Sequence, residues 1–110
     1  MKRHVICLGD SNTHGYCGAQ EGETLCGGRF SEAERWPCLL QRALGEEYLV
    51  IEEGLCGRTT VFPDPLEPGL DAISYLRPCL LSHAPVSLLI LMLESVLATA
   101  RSAAFIVTVI

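Results

Sequence analysis

The sequence predicts an α/β domain in which a parallel sheet lies between two helical layers, a three-layer sandwich. Strand-like apolar runs at residues 5–8, 48–51 and 86–93 alternate with two stretches of helical periodicity. A polar turn at residues 9–12 follows the first run, and open α/β sheets bind their ligands at the carboxyl edge of the strands. Because crossovers between parallel strands are right-handed, we expect the strand order 2-1-3, with this turn where the neighbouring loops diverge.

The first strand and the loop after it are clearly distinguished by composition. Residues 5–8 form a continuous apolar run, as in strands that are buried on both faces of a sheet. Residues 15–28 are polar and rich in glycine and show no periodicity, which indicates a loop. This loop is expected to lie beside the polar turn.

The first crossover helix is predicted to begin near Ser31 or Glu32 and to end at Gly45. Its apolar residues recur at three-and-four spacing from Trp36 onward. Pro37 must then lie in the first turn, where its missing N–H costs little.

The second half of the alternation begins with a strand over residues 48–51 and a loop over residues 54–68. Leucine and isoleucine at helical spacing predict a second helix over residues 70–81, which Pro78 should kink or shorten. The third strand, residues 86–93, is the longest apolar run of the three.

The last residues fit a short helix over residues 94–103 and a strand over residues 105–110. Pro85 and the charges of Glu94 and Arg101 leave no uncharged run near the roughly 20 residues that span a bilayer, so no membrane partner is expected. Unless the last strand pairs with it, the third strand is a sheet edge and favours self-association into a homo-oligomer.

Length and charge limit the classes of function. A chain of 110 residues makes one domain, and 49% hydrophobic with 19% charged residues is typical of a globular protein. A net charge of -5 gives no basic surface for nucleic acid. Only four apolar residues follow the basic start of the chain, too few for a secretory signal, so we expect a cytoplasmic protein.

The six cysteines show no Cys-x-x-Cys spacing of the kind used by zinc or redox sites. No metal site is predicted from them. With a cytoplasmic location, all six are expected to be free thiols.

The polar turn resembles the first sequence block of the SGNH or GDSL family of serine esterases, in which Gly-Asp-Ser is followed by Asn or Leu. A second stretch, Glu-Gly-Leu-Cys-Gly-Arg-Thr-Thr at residues 53–60, resembles the family's second block. The resemblance implies a flavodoxin-like fold, Ser11 as the nucleophile and the Gly57 backbone N–H as an oxyanion-hole donor. Asp10 and Asn12 would support the nucleophile, and no cofactor is implied.

Three further stretches resemble a branch that includes arylesterases and acyltransferases, namely residues 28–30, 35–37 and 58–62. This branch implies small esters as substrates and an acyl-enzyme that passes its acyl group to water or an alcohol. From the residues themselves, Trp36 is expected in the core and Arg58 as a loop anchor.

The resemblance ends after Leu93. There the family has Gly-x-Asn-Asp, whose asparagine is another oxyanion donor, whereas this chain continues with Glu94 and Ser95. The family's later Asp-x-x-His pair has no counterpart either. We therefore expect residues 1–93 to be the amino-terminal half of such a domain and residues 94–110 a divergent tail. Truncation, gene fragmentation and a frame change all fit, and a chain of this kind should be inactive or weak.

Two alternatives remain open from the residues alone. His14 lies at the same edge as Ser11 and could approach its hydroxyl, but nothing evident orients it, so a solvated loop residue is the favoured interpretation. His4 and His83 precede strands and belong at the opposite edge. The second alternative is a non-catalytic, flavodoxin-like module whose turn at residues 11–15 binds phosphate through backbone N–H groups.

Overall fold

The structure of the protein, a computed structural model, describes residues 1–18, 28–97 and 100–109. Four strands form one sheet in the order β2-β1-β3-β4, and the central strand β1 is parallel to both β2 and β3. The predicted order 2-1-3 is therefore confirmed, with the flavodoxin-like α/β class. The elements in chain order are β1 (Arg3–Gly9), α1 (Ser11–His14), α2 (Trp36–Leu44), β2 (Tyr48–Gly54), α3 (Ala72–Ser82), β3 (Val86–Leu97) and β4 (Ala100–Val109).

The core lies on both faces of β1, whose residues alternate between the two helical layers. Ile6 and Leu8 are fully buried in the cluster that includes α3, while Val5 and Cys7 belong to the cluster that α2 covers. Each fully buried aliphatic side chain stabilises the fold by about 1.5–3 kcal/mol. Because the two helices cover opposite faces, β1 is enclosed and its carboxyl end is held rigidly.

Helix α2 starts later than the sequence predicted, at Trp36 rather than near Ser31 or Glu32. Pro37 lies in its first turn, as expected, and a proline ring prevents the helix from extending further toward the amino terminus. The preceding residues instead form a turn in which the Arg35 N–H donates to the Ser31 carbonyl at 3.0 Å. The predicted end at Gly45 is confirmed, because its N–H closes the helix on the Gln41 carbonyl.

Helix α3 begins after Asp71, whose carboxylate accepts a hydrogen bond from the Ser74 N–H at 3.1 Å. Asp71 thus satisfies one of the free N–H groups of the first turn. The helix continues through Pro78 to Ser82, so this proline does not end it.

The predicted helix over residues 94–103 is wrong. Strand β3 continues to Leu97, and β4 pairs with it in antiparallel register from Leu97↔Ala100 to Leu88↔Val109. Pairing with an apolar strand edge outweighs the intrinsic helix propensity of this segment. The strand predicted near the end of the chain is confirmed up to Val109, and residue 110 lies outside the described part. Because β4 pairs with β3, β3 is not an edge of this sheet, whose outer strands are β2 and β4.

Within the described ranges, no helix combines the length and the apolar character required to cross a membrane.

The prediction of six free thiols is wrong at Cys56, which is disulfide-bonded, and the prediction for Cys26 lies outside the described residues. Cys7, Cys17, Cys38 and Cys79 are free. Spacing along the chain does not report which cysteines approach each other in the fold.

Candidate active site

Ser11 is the first residue of α1 and is half-buried at the carboxyl edge of β1. The buried Asp10 caps this short helix, because its Oδ1 accepts a hydrogen bond from the Asn12 N–H at 3.0 Å. The Asn12 amide nitrogen lies 3.4 Å from the same oxygen, and the Asn12 side chain is otherwise exposed. Asp10 and Asn12 therefore hold the turn that presents the serine hydroxyl.

Gly9 permits the sharp exit from β1. A Cβ at this position would lie 2.0 Å from Thr13 Oγ1 and 2.8 Å from the Met92 carbonyl oxygen. Thr13 is fully buried, so its side chain has no space into which to withdraw. A residue with a side chain at position 9 would therefore displace the turn that carries Ser11.

The end of β2 packs directly against α1. A Cβ on Gly54 would lie 2.2 Å from the His14 backbone nitrogen, and the Leu55 N–H donates to the Gly9 carbonyl at 3.1 Å. These contacts join the loop after β2 to the loop after β1. The two sequence blocks therefore meet at one edge of the sheet.

Gly57 lies in a tight turn of that second loop. The Arg58 N–H donates to the Leu55 carbonyl at 3.1 Å, and Gly57 has φ +83°, as the third residue of a type II turn requires. Gly57 is exposed, and neither its N–H nor that of Ser11 donates to another residue of the described ranges.

Arg58, the neighbour of Gly57, is buried and joins the ends of two strands. Its Nη1 donates to the Gly9 carbonyl at 3.2 Å and to the Glu53 carbonyl, and its guanidinium lies 5.0 Å from the ring centre of Tyr75. Burial lowers the pKa of this guanidinium. These are the contacts of an anchor that fixes the loop carrying Gly57.

A second arginine fixes the site from the α2 side. Arg35 donates two hydrogen bonds to the Glu52 carboxylate, from Nε at 2.8 Å and from Nη2 at 3.3 Å. Its Nη1 donates a third, to the Phe30 carbonyl at 2.9 Å. The hydrogen bond from Arg35 holds the pKa of Glu52 below its usual value. The Phe30 N–H donates to the Gly15 carbonyl at 2.7 Å. The stretches at residues 28–30 and 35–37 thus form one bonded network behind Ser11.

Glu53 faces the opposite side of the sheet and meets α3. Its carboxylate accepts from the Tyr75 hydroxyl at 3.0 Å and lies 2.9 Å from His83 Nε2. Cys79 is fully buried beside them, and burial raises the pKa of its thiol. Burial, followed by the hydrogen bond to Glu53, raises the pKa of Tyr75 to about 12.

The ligand atoms of Glu53, Cys79 and His83 lie within 4.8 Å of one another, and this group could hold a metal ion. Sequence reasoning missed it because it searched for Cys-x-x-Cys spacing. The four-residue step from Cys79 to His83 on a helix was the available signal.

No histidine of the described segments forms a hydrogen bond with Ser11. His4 Nδ1 lies 2.7 Å from the His83 carbonyl oxygen, near the amino ends of the strands, and the His83 ring turns toward Glu53. His14 is half-buried, and its backbone carbonyl accepts from Arg29 Nε at 2.7 Å. Within the part of the chain that the structure describes, this edge of the sheet thus combines the Ser11 hydroxyl with the Ser11 and Gly57 N–H groups, and no histidine is bonded to Ser11.

Comparison with solved structures shows what this arrangement resembles. The chain is 42% identical to an aryl esterase from M. smegmatis, with a TM-score of 0.74. This match covers 83% of the chain and 41% of the esterase. Est24, a carbohydrate acetylesterase from Sinorhizobium meliloti, is 40% identical with a TM-score of 0.75, and the match covers 84% of this chain and 42% of Est24. A putative arylesterase from Agrobacterium tumefaciens is 35% identical with a TM-score of 0.72, and the match covers 83% of this chain and 41% of the arylesterase.

The chain thus spans about two fifths of the length of these neighbours. No protein-family model matches it, and a search of curated proteins gave no match. The aryl esterases and carbohydrate acetylesterases are SGNH/GDSL hydrolases, so the resemblance seen in the sequence is confirmed.

Proposed function

Because the chain resembles SGNH/GDSL hydrolases in both sequence and fold, we propose that it carries the nucleophile and part of the oxyanion hole of a serine esterase. The nucleophile is Ser11, and the backbone N–H groups of Ser11 and Gly57 are the oxyanion donors. The observation that carries this proposal is that both N–H groups are free of other described partners at one edge of the sheet.

The reaction follows from these groups. Ser11 Oγ attacks the ester carbonyl carbon and transfers its proton to a general base, the histidine of the family's Asp-x-x-His pair, for which this sequence has no counterpart. The negative charge that develops on the carbonyl oxygen is stabilised by the two N–H donors, and the base then returns the proton to the leaving group. The alkoxide leaves with a proton as the alcohol, and water or another alcohol then releases the acyl group from Ser11. Each oxyanion donor typically contributes about 10²–10³ in rate, because it is aimed at charge that exists only in the transition state.

The substrate class is a small ester. The neighbours are described as aryl esterases and carbohydrate acetylesterases, which supports an acetyl or similarly short acyl group. Transfer to an alcohol, as in acyltransferases, uses the same acyl-enzyme and is part of the proposal.

Activity of this chain alone should be weak or absent. A serine hydroxyl without an adjacent base is a poor nucleophile, and the described residues bring no histidine ring to Ser11. We propose that residues 1–93 correspond to the amino-terminal half of an SGNH hydrolase domain, with residues 94–110 as a divergent tail. The match over 83% of the chain supports this division.

The cytoplasmic location predicted from the sequence stays a proposal. The disulfide at Cys56 argues against it, because cytosolic proteins keep most of their thiols reduced. Counting thiols in protein isolated without reductant tests this point.

The function is tested by hydrolysis of an activated aryl acetate. Five proteins are compared: the chain, its Ser11→Ala variant, a chimaera, and the chimaera with either Ser11→Ala or Ser31→Ala. In the chimaera, residues 94–110 are replaced by the second half of a related esterase, including its asparagine and Asp-x-x-His. The control is Ser31→Ala, which removes an exposed hydroxyl bonded only to Glu34 among the described residues.

We expect the unmodified chain to act scarcely faster than its Ser11→Ala variant, and the chimaera to show turnover that disappears with Ser11→Ala but not with Ser31→Ala. A folded but inactive chimaera, or activity that does not depend on Ser11, contradicts the proposed nucleophile. Robust Ser11-dependent hydrolysis by the unmodified chain contradicts the missing base, and His14 is then the first residue to mutate.

A further inference from the structure

One face of α3 presents three polar side chains to the end of β2. Tyr75 and Cys79 are residues of α3 and His83 is its C-cap; the three are spaced four residues apart, so they lie above one another along one side of the helix. Glu53 is opposite this stripe and bonds to the residues at both of its ends, while the Cys79 thiol lies between them. A carboxylate, a thiol and an imidazole therefore converge within 4.8 Å.

We propose that Glu53, Cys79 and His83 form a binding site for a divalent transition-metal ion, and that its ligand set selects zinc. Carboxylate oxygen, thiolate sulfur and imidazole nitrogen are the three ligand types that zinc takes in proteins. Hard cations such as Mg²⁺ and Ca²⁺ prefer oxygen ligands, so the sulfur and the nitrogen disfavour them.

The observed separations suit a tetrahedral ion with small side-chain movements. Zinc bonds of about 2.0–2.3 Å place neighbouring ligand atoms roughly 3.5 Å apart. His83 Nε2 and Glu53 Oε1 are 2.9 Å apart, and no pair in the cluster exceeds 4.8 Å. The imidazole and the carboxylate therefore separate slightly, and the other ligand atoms move closer.

Charge and access also allow an ion to enter. Glu53 and a deprotonated Cys79 balance the two positive charges of zinc, and the Cys79 proton is released to solvent as the Zn–S bond forms. The side chains of His83 and Glu53 are 29% and 19% exposed, so the cluster opens to water on the His83 side. The fourth position would be taken by water or by the Tyr75 hydroxyl.

Binding would connect the carboxyl end of α3 to the strand end that precedes Gly54 and Gly57. The ion would replace one hydrogen bond, between His83 and Glu53, with three metal–ligand bonds. The site is separate from the Ser11 hydroxyl, so it does not depend on the proposed esterase function.

The test uses the full chain stripped of metal and titrated with Zn²⁺ against a competing chelator, and with Co²⁺ as a spectroscopic probe. We expect one Zn²⁺ per chain and a thiolate-to-cobalt charge-transfer band together with the visible bands of tetrahedral Co²⁺. His83→Gln keeps a donor to Glu53 and should weaken binding by about a hundredfold, since loss of even an outer-shell partner costs 10–100-fold.

Cys79→Ser should abolish the charge-transfer band. The matched control is Cys38→Ser, which removes a half-buried free thiol from α2 on the other face of the sheet and should change neither measurement.

The proposal is overturned if His83→Gln binds zinc as tightly as the unmodified chain. It is also overturned if Cys38→Ser abolishes the cobalt band or if no cobalt band forms. Should Cys79→Ser fail to fold, the His83→Gln titration and the wild-type cobalt spectrum still decide the question.

Discussion

Replacing Arg35 with lysine tests whether the fork between Arg35 and Glu52 fixes the loop behind Ser11. Arginine makes three hydrogen bonds here, two to the Glu52 carboxylate and one to the Phe30 carbonyl. A lysine ammonium keeps the charge but cannot reproduce this planar arrangement. We expect it to retain one of the three bonds.

The expected loss in the free energy of unfolding is about 2 kcal/mol. Hydrogen bonds to charged groups each contribute about 1.5–3 kcal/mol when buried. The hydrogen bond from Nη2 to Glu52 is long, at 3.3 Å, and the Glu52 side chain is 28% exposed. Water can therefore hydrogen-bond to the carboxylate and offset part of the lost free energy. With a urea dependence of about 1–3 kcal/mol/M for small proteins, the midpoint should fall by roughly 1 M.

Urea unfolding followed by tryptophan fluorescence measures this directly, because Trp36 is the only tryptophan and follows Arg35 in the chain. Arg42→Lys is the control, since Arg42 is exposed and, among the described residues, its side chain donates one hydrogen bond, to the Glu32 carbonyl. A loss below about 0.5 kcal/mol for Arg35→Lys, or an equal loss for Arg42→Lys, would refute the reasoning, because surface substitutions usually stay within that range.

Three further outcomes are expected. The hydrogen bond from Arg35 depresses the folded-state pKa of Glu52, so the free energy of unfolding of the unmodified chain should exceed that of Glu52→Gln by a constant amount above about pH 4.5. This difference should shrink as the pH falls through the folded-state pKa, and a pH-independent difference would contradict the reasoning. Gly54→Ala forces a Cβ against the backbone of α1 and should lower stability by about 1–3 kcal/mol and shift the Ser11 amide resonance. Gly45→Ala, which meets nothing within 4 Å, should leave that resonance in place. In denaturant without reductant, four thiols should react, and six after reduction, because Cys56 and its partner are bonded; six from the start would exclude the disulfide.

The sheet was predictable from the sequence because three apolar runs alternate with helical periodicity, which leaves few right-handed topologies. The start of α2 was misplaced because its periodicity was given more weight than the steric effect of Pro37. The helix predicted at residues 94–103 failed for a different reason. Local propensity favours a helix there, and only pairing with β3 makes it a strand, so the deciding interaction lies outside the segment.

The candidate site shows the same division. Ser11 and Gly57 were identified by resemblance to a family. The reason for glycine at positions 9 and 54 is visible only in the structure, because a Cβ at either position would collide with α1. Glu53 lies 22 and 30 positions from its partners Tyr75 and His83, so the four-residue step from Cys79 to His83 was a local signal of the cluster, but no local pattern placed Glu53 beside them.

The two adjacent glutamates at the end of β2 favour one register of this strand on β1. Glu52 meets Arg35 on one face of the sheet, and Glu53 meets Tyr75 and His83 on the other. If β2 moved by one residue in one direction, Ile51 would face the buried arginine and Glu53 would occupy the space beside α1 that admits only Gly54.

Movement by one residue in the other direction would place Gly54 opposite α3 and leave Tyr75 and His83 without their carboxylate. Either one-residue shift thus leaves a charged or polar group unmatched on one face of the sheet, whereas the native pairing satisfies the groups on both faces. The short segment Glu52-Glu53-Gly54 therefore favours the native register of β2 on β1, in which the two loops of the candidate active site follow directly after paired residues.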